Sequence, residues 1–154
     1  MRFRITAVGR PAAGPLREAI AEYEARASRY WPLEVIEVRA EPARTRSRDE
    51  VRRLEGGRLL ERASGVLVAL DERGKSMSTE AFAKWIAERR DRAEDTAFII
   101  GGAFGLDASV RERASLVLSL SPWTLPHDVA RLLLVEQLYR AGTILRGEPY
   151  HKGT

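Results

Sequence analysis

Two short segments in the last third of the chain carry the residue types that could hold a small ligand. Gly101, Gly102, Ala103, Phe104 and Gly105 follow the apolar run Thr96 to Ile100, and Ser121, Pro122, Trp123, Thr124, Leu125, Pro126 and His127 follow Leu116 to Leu120. Short apolar runs bounded by turn residues read as strands. In open α/β sheets ligands bind beyond the carboxyl ends of the strands, and glycines there let backbone groups reach the ligand directly. An active site is therefore expected between these two loops, built from backbone groups and apolar side chains.

Other chemistries fit these residues poorly. The chain has no cysteine, which excludes disulfides, thiolate catalysis and Cys-ligated zinc, and its two histidines, His127 and His151, cannot make a multi-histidine metal site. The glycine spacing is Gly-Gly-x-x-Gly where a dinucleotide fingerprint needs Gly-x-Gly-x-x-Gly. No acid stands at a strand end about 20 residues later to bind a ribose, since Leu120 and Ser121 occupy that region. Gly74, Lys75 and Ser76 resemble the end of a phosphate-binding loop, but Ala69 stands where its leading glycine belongs. Gly-x-Ser-x-Gly is absent. Glu136 and Arg140 are spaced as a structural i,i+4 pair, while Asp71 and Glu72 read as a carboxylate site or, more ordinarily, as a solvated loop. What remains is a pocket suited to a flat, partly apolar cofactor or substrate.

With 154 residues and 44% hydrophobic content the chain is expected to form one soluble domain, 1–154. No apolar run approaches the roughly 20 residues that span a bilayer, and the opening MRFRITAVGR alternates where a secretory signal would be continuous. No membrane partner and a cytoplasmic location are expected. The formal net charge is +4, and 23 of the 26 basic residues are arginine, a residue suited to bidentate phosphate contacts and stacking on bases. A nucleic-acid partner fits this bias; so does arginine-rich codon usage, with 22 acids offsetting most of the charge.

The elements that position the two loops alternate in type. Arg2 to Val8 reads as a strand and Gly9 to Gly14 as a turn; Pro15 then opens a helix whose stripe is Leu16, Ile20, Tyr23, Ala27 and Tyr30. A strand over Leu33 to Val38 follows, then an exposed loop, Arg39 to Arg48, with four arginines and no apolar period. Ser47 and Glu50 form a capping box for a helix to about Ala63. Val66 to Leu70 is a continuous apolar run, as in a central parallel strand, and Asp71 to Met77 a polar loop. Ser78 caps a helix with Phe82, Trp85 and Ile86. Strand Thr96 to Ile100, a short helix near Ala108 to Ala114, strand Leu116 to Leu120 and a helix from Asp128 to about Leu145 complete the pattern. Such alternation implies a mostly parallel α/β sheet with helices on both faces, and a polar tail follows Arg146. On the last helix Val129, Leu132, Leu133, Leu134, Val135 and Leu138 cover more than one face, which points to a homodimer.

Three segments, FIIGGAFGLD at 98–107, LSLSPWTLPHDVARLLLVEQLYRA at 118–141 and GEPYHK at 147–152, closely resemble the bacterial large-subunit (23S) ribosomal RNA pseudouridine N3-methyltransferases of the SPOUT class. ITAVGR, AEYEAR, the strand at 35–38 and VALDERGK extend the resemblance nearly end to end. The resemblance implies S-adenosylmethionine as methyl donor, a C-terminal trefoil knot around its pocket and an obligate homodimer whose RNA site uses both subunits. At matching positions the cofactor contacts are Leu70, Gly101, Leu120, Ser121, Pro122, Trp123, Thr124 and Leu125, and the RNA contacts Arg140, Tyr150, His151 and Lys152. Ala103 and Phe104 stand where relatives vary, and Gly153–Thr154 extends past the usual end.

Methyl transfer from a sulfonium needs no enzyme nucleophile and no metal, only alignment of donor and acceptor, which agrees with the composition. His127 is a candidate base for the N3 proton, and its place after Pro126 equally suits a structural role at a helix start. The expected function is thus S-adenosylmethionine-dependent N3-methylation of a pseudouridine in 23S ribosomal RNA, within the assembled ribosome. A noncatalytic RNA-binding or ribosome-assembly protein of the same fold, and a SPOUT methyltransferase with another RNA target, are the alternatives.

Overall fold

The computed structural model describes residues 1–153; Thr154, the end of the Gly153–Thr154 extension, lies outside the described residues. In chain order the elements are β1 (Phe3–Val8), α1 (Pro15–Ala27), β2 (Leu33–Val38), α2 (Arg48–Arg62), β3 (Val66–Ser76), α3 (Thr79–Asp91), β4 (Thr96–Ile100), α4 (Ala108–Arg113), β5 (Leu116–Ser119) and α5 (His127–Leu145), with a 3-10 turn at Pro149–Gly153. The strands form one sheet in the order β2-β1-β4-β3-β5, and every pair is parallel. Among the described residues no helix is long and apolar enough to cross a membrane.

Strand alternation splits the core into two layers. Phe3, Ile5 and Ala7 of β1, Val68 of β3 and Phe98 and Ile100 of β4 face α1, α3 and α5, where they meet Ala27, Phe82, Ile86, Leu134, Val135 and Leu138. Val8, Leu67, Ala69, Ala97 and Ile99 face α2 and α4 and pack on Leu59 and Val110. All five residues of β4 are buried, as a strand covered on both faces requires. Each fully buried Phe, Ile or Leu contributes roughly 1.5–3 kcal/mol.

Local chemistry sets the helix starts. Ser47, Ser78 and Asp107 accept hydrogen bonds from the backbone N–H of Glu50, Ala81 and Ser109 at 3.1, 3.1 and 3.2 Å. Arg131 of α5, 5% exposed, donates to Glu24 of α1 at 2.8 Å and to Glu37 of β2 at 2.7 Å, so one guanidinium ties three elements. The indole N–H of Trp31 donates to the Leu138 carbonyl at 2.9 Å, and a Cβ at Gly142 would fall 2.7 Å from the Tyr30 Cβ. The α1–α5 contact is therefore close because position 142 has no side chain.

Two expectations are corrected. The segment Asp71 to Met77 is not a loop, because β3 runs on to Ser76. It pairs with β5 twice, Leu70 and then Lys75 both opposite Leu118, with Asp71–Gly74 bulging out between them. A Cβ at Gly74 would lie 2.5 Å from the Val117 carbonyl oxygen, so the glycine of the apparent phosphate-loop remnant serves strand contact. The polar tail likewise forms the 3-10 turn and packs against α5.

Candidate active site

A cavity of about 980 Å³ opens at the carboxyl ends of β4 and β5 and beside the bulge of β3. Leu70, Ile100, Leu118, Leu120 and Leu125 supply apolar wall, and both glycine-rich and Ser-Pro-Trp-Thr-Leu-Pro-His loops border it. Of the eight cofactor contacts that the resemblance implies, Leu70, Gly101, Leu120, Ser121, Trp123, Thr124 and Leu125 line this space, as does His127; Pro122 is outside the lining.

The glycine loop is closed on itself. Gly105 N–H donates to the Gly102 carbonyl at 3.1 Å, and Gly105 adopts φ 81°, a left-handed turn that glycine takes without strain. A Cβ on Gly101 would fall 2.7 Å from the carbonyl carbon of Gly105 and 3.0 Å from the Leu106 nitrogen. The missing side chain thus serves the loop's own closure, and clearance for a ligand is not what position 101 first needs. Beneath the loop, Glu55 of α2 is 4% exposed, and its Oε1 would lie 2.9 Å from a Cβ at Gly102. Its Oε2 accepts the Glu41 N–H at 3.0 Å, while Oε1 has no hydrogen-bond partner. Burial pushes this carboxyl above its ordinary pKa, against the Glu41 hydrogen bond and the Arg58 charge.

The second loop is also pre-formed. Ser119 donates to the Ser121 carbonyl at 2.8 Å, and the Ser121 hydroxyl accepts the Trp123 N–H at 3.0 Å. Ser121 therefore spends its side chain on the turn and offers the cavity its backbone. The Trp123 indole is 78% exposed at the rim. His127 is the first residue of α5, with Nδ1 2.9 Å from Asp128 Oδ1.

Asp71 is neither a free carboxylate site nor a solvated loop residue. Its side chain is 9% exposed; Arg73 bonds it at 3.2 Å and Arg111 of α4 approaches to 3.5 Å. Burial raises its pKa, but the Arg73 hydrogen bonds outweigh that and hold it below the ordinary carboxylate range. The β3 bulge is thereby tied to α4 at the cavity edge. Sequence reasoning missed Ile100 and Leu118 as wall residues and Arg48, Arg52, Arg73 and Arg111 around the opening. The run of arginines from Arg44 to Arg53 was the available signal for the first two of these four.

The residues expected to meet RNA lie elsewhere. Arg140 follows His127 along α5 by about 20 Å at 1.5 Å per residue. It pairs with Glu136 at 2.6 Å, as the spacing predicts, and its guanidinium sits 4.8 Å from the Tyr150 ring centroid. The Tyr150 hydroxyl donates to Glu136 at 3.1 Å, and its ring lies 4.6 Å from that of Tyr139. Burial, then the Tyr23 hydrogen bond and the Glu136 charge, raise the Tyr150 pKa above the ordinary phenol value. His151 is half-buried and Lys152 exposed.

A family model described as Predicted SPOUT methyltransferase matches residues 1–151. The chain is 55% identical over 154 residues to the Ribosomal RNA large subunit methyltransferase H of Gemmatimonas aurantiaca, covering 99% of this chain and 100% of that one. It is 44% identical to the protein of the same name from Syntrophotalea carbinolica, over 98% and 99% of the two chains. Among solved structures, a probable methylase family protein from Haemophilus influenzae shares the fold with a TM-score of 0.57 at 11% identity, over 96% of this chain and 69% of that one. With a match across essentially the whole length and the cavity where the strands end, this chain belongs to the SPOUT methyltransferase family.

Proposed function

We propose that this protein transfers a methyl group from S-adenosylmethionine to N3 of a pseudouridine in large-subunit ribosomal RNA. The observation that carries this reading is the pre-formed cavity between the two loops, in a chain 55% identical to a ribosomal RNA large subunit methyltransferase H.

The residues present fit the cofactor. The cavity reaches the upper end of the usual 300–1,000 Å³ range for ligand sites, enough for the cofactor and a nucleotide together. Leu70, Leu118, Leu120 and Leu125 offer an apolar slot for a purine, and backbone groups of 120–125 can read its polar edge. Bound S-adenosylmethionine supplies an activated methyl group on a sulfonium. The chain's own part is alignment, exclusion of water by the leucine wall, and a route for the N3 proton. His127 serves as that base: with a proton on Nδ1, shared with Asp128, the Nε2 lone pair is free to accept another.

The trefoil knot and the homodimer belong to the same proposal. Along one helix the cavity and the Arg140–Tyr150 cluster are too far apart to grip a single nucleotide, so two copies would have to share the substrate. On α5, Leu133 remains 38% exposed, a large apolar side chain available to a second copy. Calorimetric titration with S-adenosylmethionine checks the cofactor: one site per chain with micromolar affinity is expected, and no heat at millimolar concentration leaves the noncatalytic alternative.

A further inference from the structure

We infer that the arginine-bearing segment 39–53 is the wall on which the phosphates of the RNA strand flanking the target nucleotide lie. The inference rests on the RNA-methylation reading and adds a surface separate from the α5 and tail residues considered above.

Charge concentrates there. Six arginines stand against three acids between 39 and 53, in a chain whose whole formal charge is +4. Acids within the segment are already used: Glu41 is enclosed by Arg46 and Arg58, and Asp49 is paired with Arg52. Arg44, Arg48 and Arg53 are exposed and form no ion pair among the described residues. Repulsion among exposed cations is relieved by an anionic partner, and arginine matches phosphate in bidentate geometry.

The segment also borders the site. Arg48 and Arg52 line the cavity opening, and Arg52 donates to the Phe104 carbonyl at 3.2 Å, anchoring the tip of the glycine loop to α2. The Arg48 guanidinium lies 5.2 Å from the Phe104 ring centroid, which holds the cation at the rim. On the opposite loop the exposed Trp123 indole borders the same opening. A basic wall with aromatic rings at a cavity mouth is the arrangement that follows a single strand, cations on the backbone and rings under the bases. In this arrangement Arg44, Arg48 and Arg53 hold phosphates outside the cavity while the target base enters it.

The test compares wild type, the double variant Arg44→Gln/Arg53→Gln, two exposed positions outside the cavity lining, and a charge-matched control at exposed positions away from the cavity, Lys84→Gln/Arg92→Gln. Each is titrated with S-adenosylmethionine and co-sedimented with purified bacterial ribosomes across a potassium chloride series. For Arg44→Gln/Arg53→Gln the cofactor affinity should stay within twofold of wild type. Its ribosome affinity should fall about tenfold or more at low salt, and the slope of log affinity against log salt should flatten by about 1.5, as for two lost phosphate contacts. The control should match wild type. An unchanged slope, an equal loss in the control, or a parallel loss of cofactor affinity overturns the inference. Methyl transfer is read in the same samples: arginine-dependent sedimentation without transfer upholds the wall and contradicts the enzymatic reading alone.

Discussion

Gly101 shows how a glycine in a motif can be required for a reason other than the one its position suggests. Sequence reading pointed to ligand clearance, because a glycine at a strand end commonly provides it, but the Cβ direction is set by the turn at Gly102–Gly105, which spacing alone does not reveal. Gly101→Val should lower the melting temperature and weaken S-adenosylmethionine binding more than tenfold together, since backbone atoms at 2.7–3.0 Å cannot step aside. Gly105→Ala, with nothing within 4 Å but φ 81°, should cost only about 1–2 kcal/mol of stability, read by urea unfolding. Glu55 was not legible as a special residue, since it sits in an ordinary helical stretch and its burial under Gly102 is a tertiary fact. Its folded pKa is raised, so between the unfolded value near 4.3 and the folded value the native state holds the extra proton, and stability falls as pH rises through that window. Glu55→Gln removes this titration. Its melting temperature relative to wild type should therefore be more favourable at pH 8 than at pH 4, and a pH-independent difference would count against the buried carboxyl.

At the scale of elements, capping residues and apolar stripes located the helices to within a residue or two: Ser47 and Ser78 stand directly before α2 and α3, and α5 begins at His127, one residue ahead of the expected Asp128. β3 was the principal miss. Its outer half, DERGKS, is polar because it extends past the core, and the pairing that makes it strand comes from β5 through the space left by Gly74. The 3-10 turn was missed for a related reason, as its docking depends on Tyr139 and Glu136 on another element. Arg131 links α5 to α1 and β2, and its partners lie 107 and 94 residues away in sequence. Arg131→Ala should destabilise by about 3 kcal/mol, leaving Glu24 and Glu37 without their cation, whereas Arg131→Met with Glu24→Gln and Glu37→Gln should recover most of that loss. Thermal or urea denaturation of the two variants decides it.

For the whole molecule, strand and helix alternation was enough to anticipate a parallel α/β sheet with helices on both faces, because buried parallel strands are continuously apolar. The strand order was not, since which edge each crossover takes is settled by packing. The proposed homodimer is tested at α5: Leu133→Glu is expected to leave the isolated chain folded, to give a smaller species than wild type in light scattering and to reduce ribosome methylation, whereas the same mass for both proteins would contradict pairing through this helix. The most direct measurement of the central claim incubates the purified protein with methyl-labelled S-adenosylmethionine and ribosomes from a strain lacking the corresponding methyltransferase, followed by nucleoside mass spectrometry of the large-subunit RNA. The expected result is label in N3-methylpseudouridine. Label in another nucleoside, or none despite bound cofactor, would contradict the assignment.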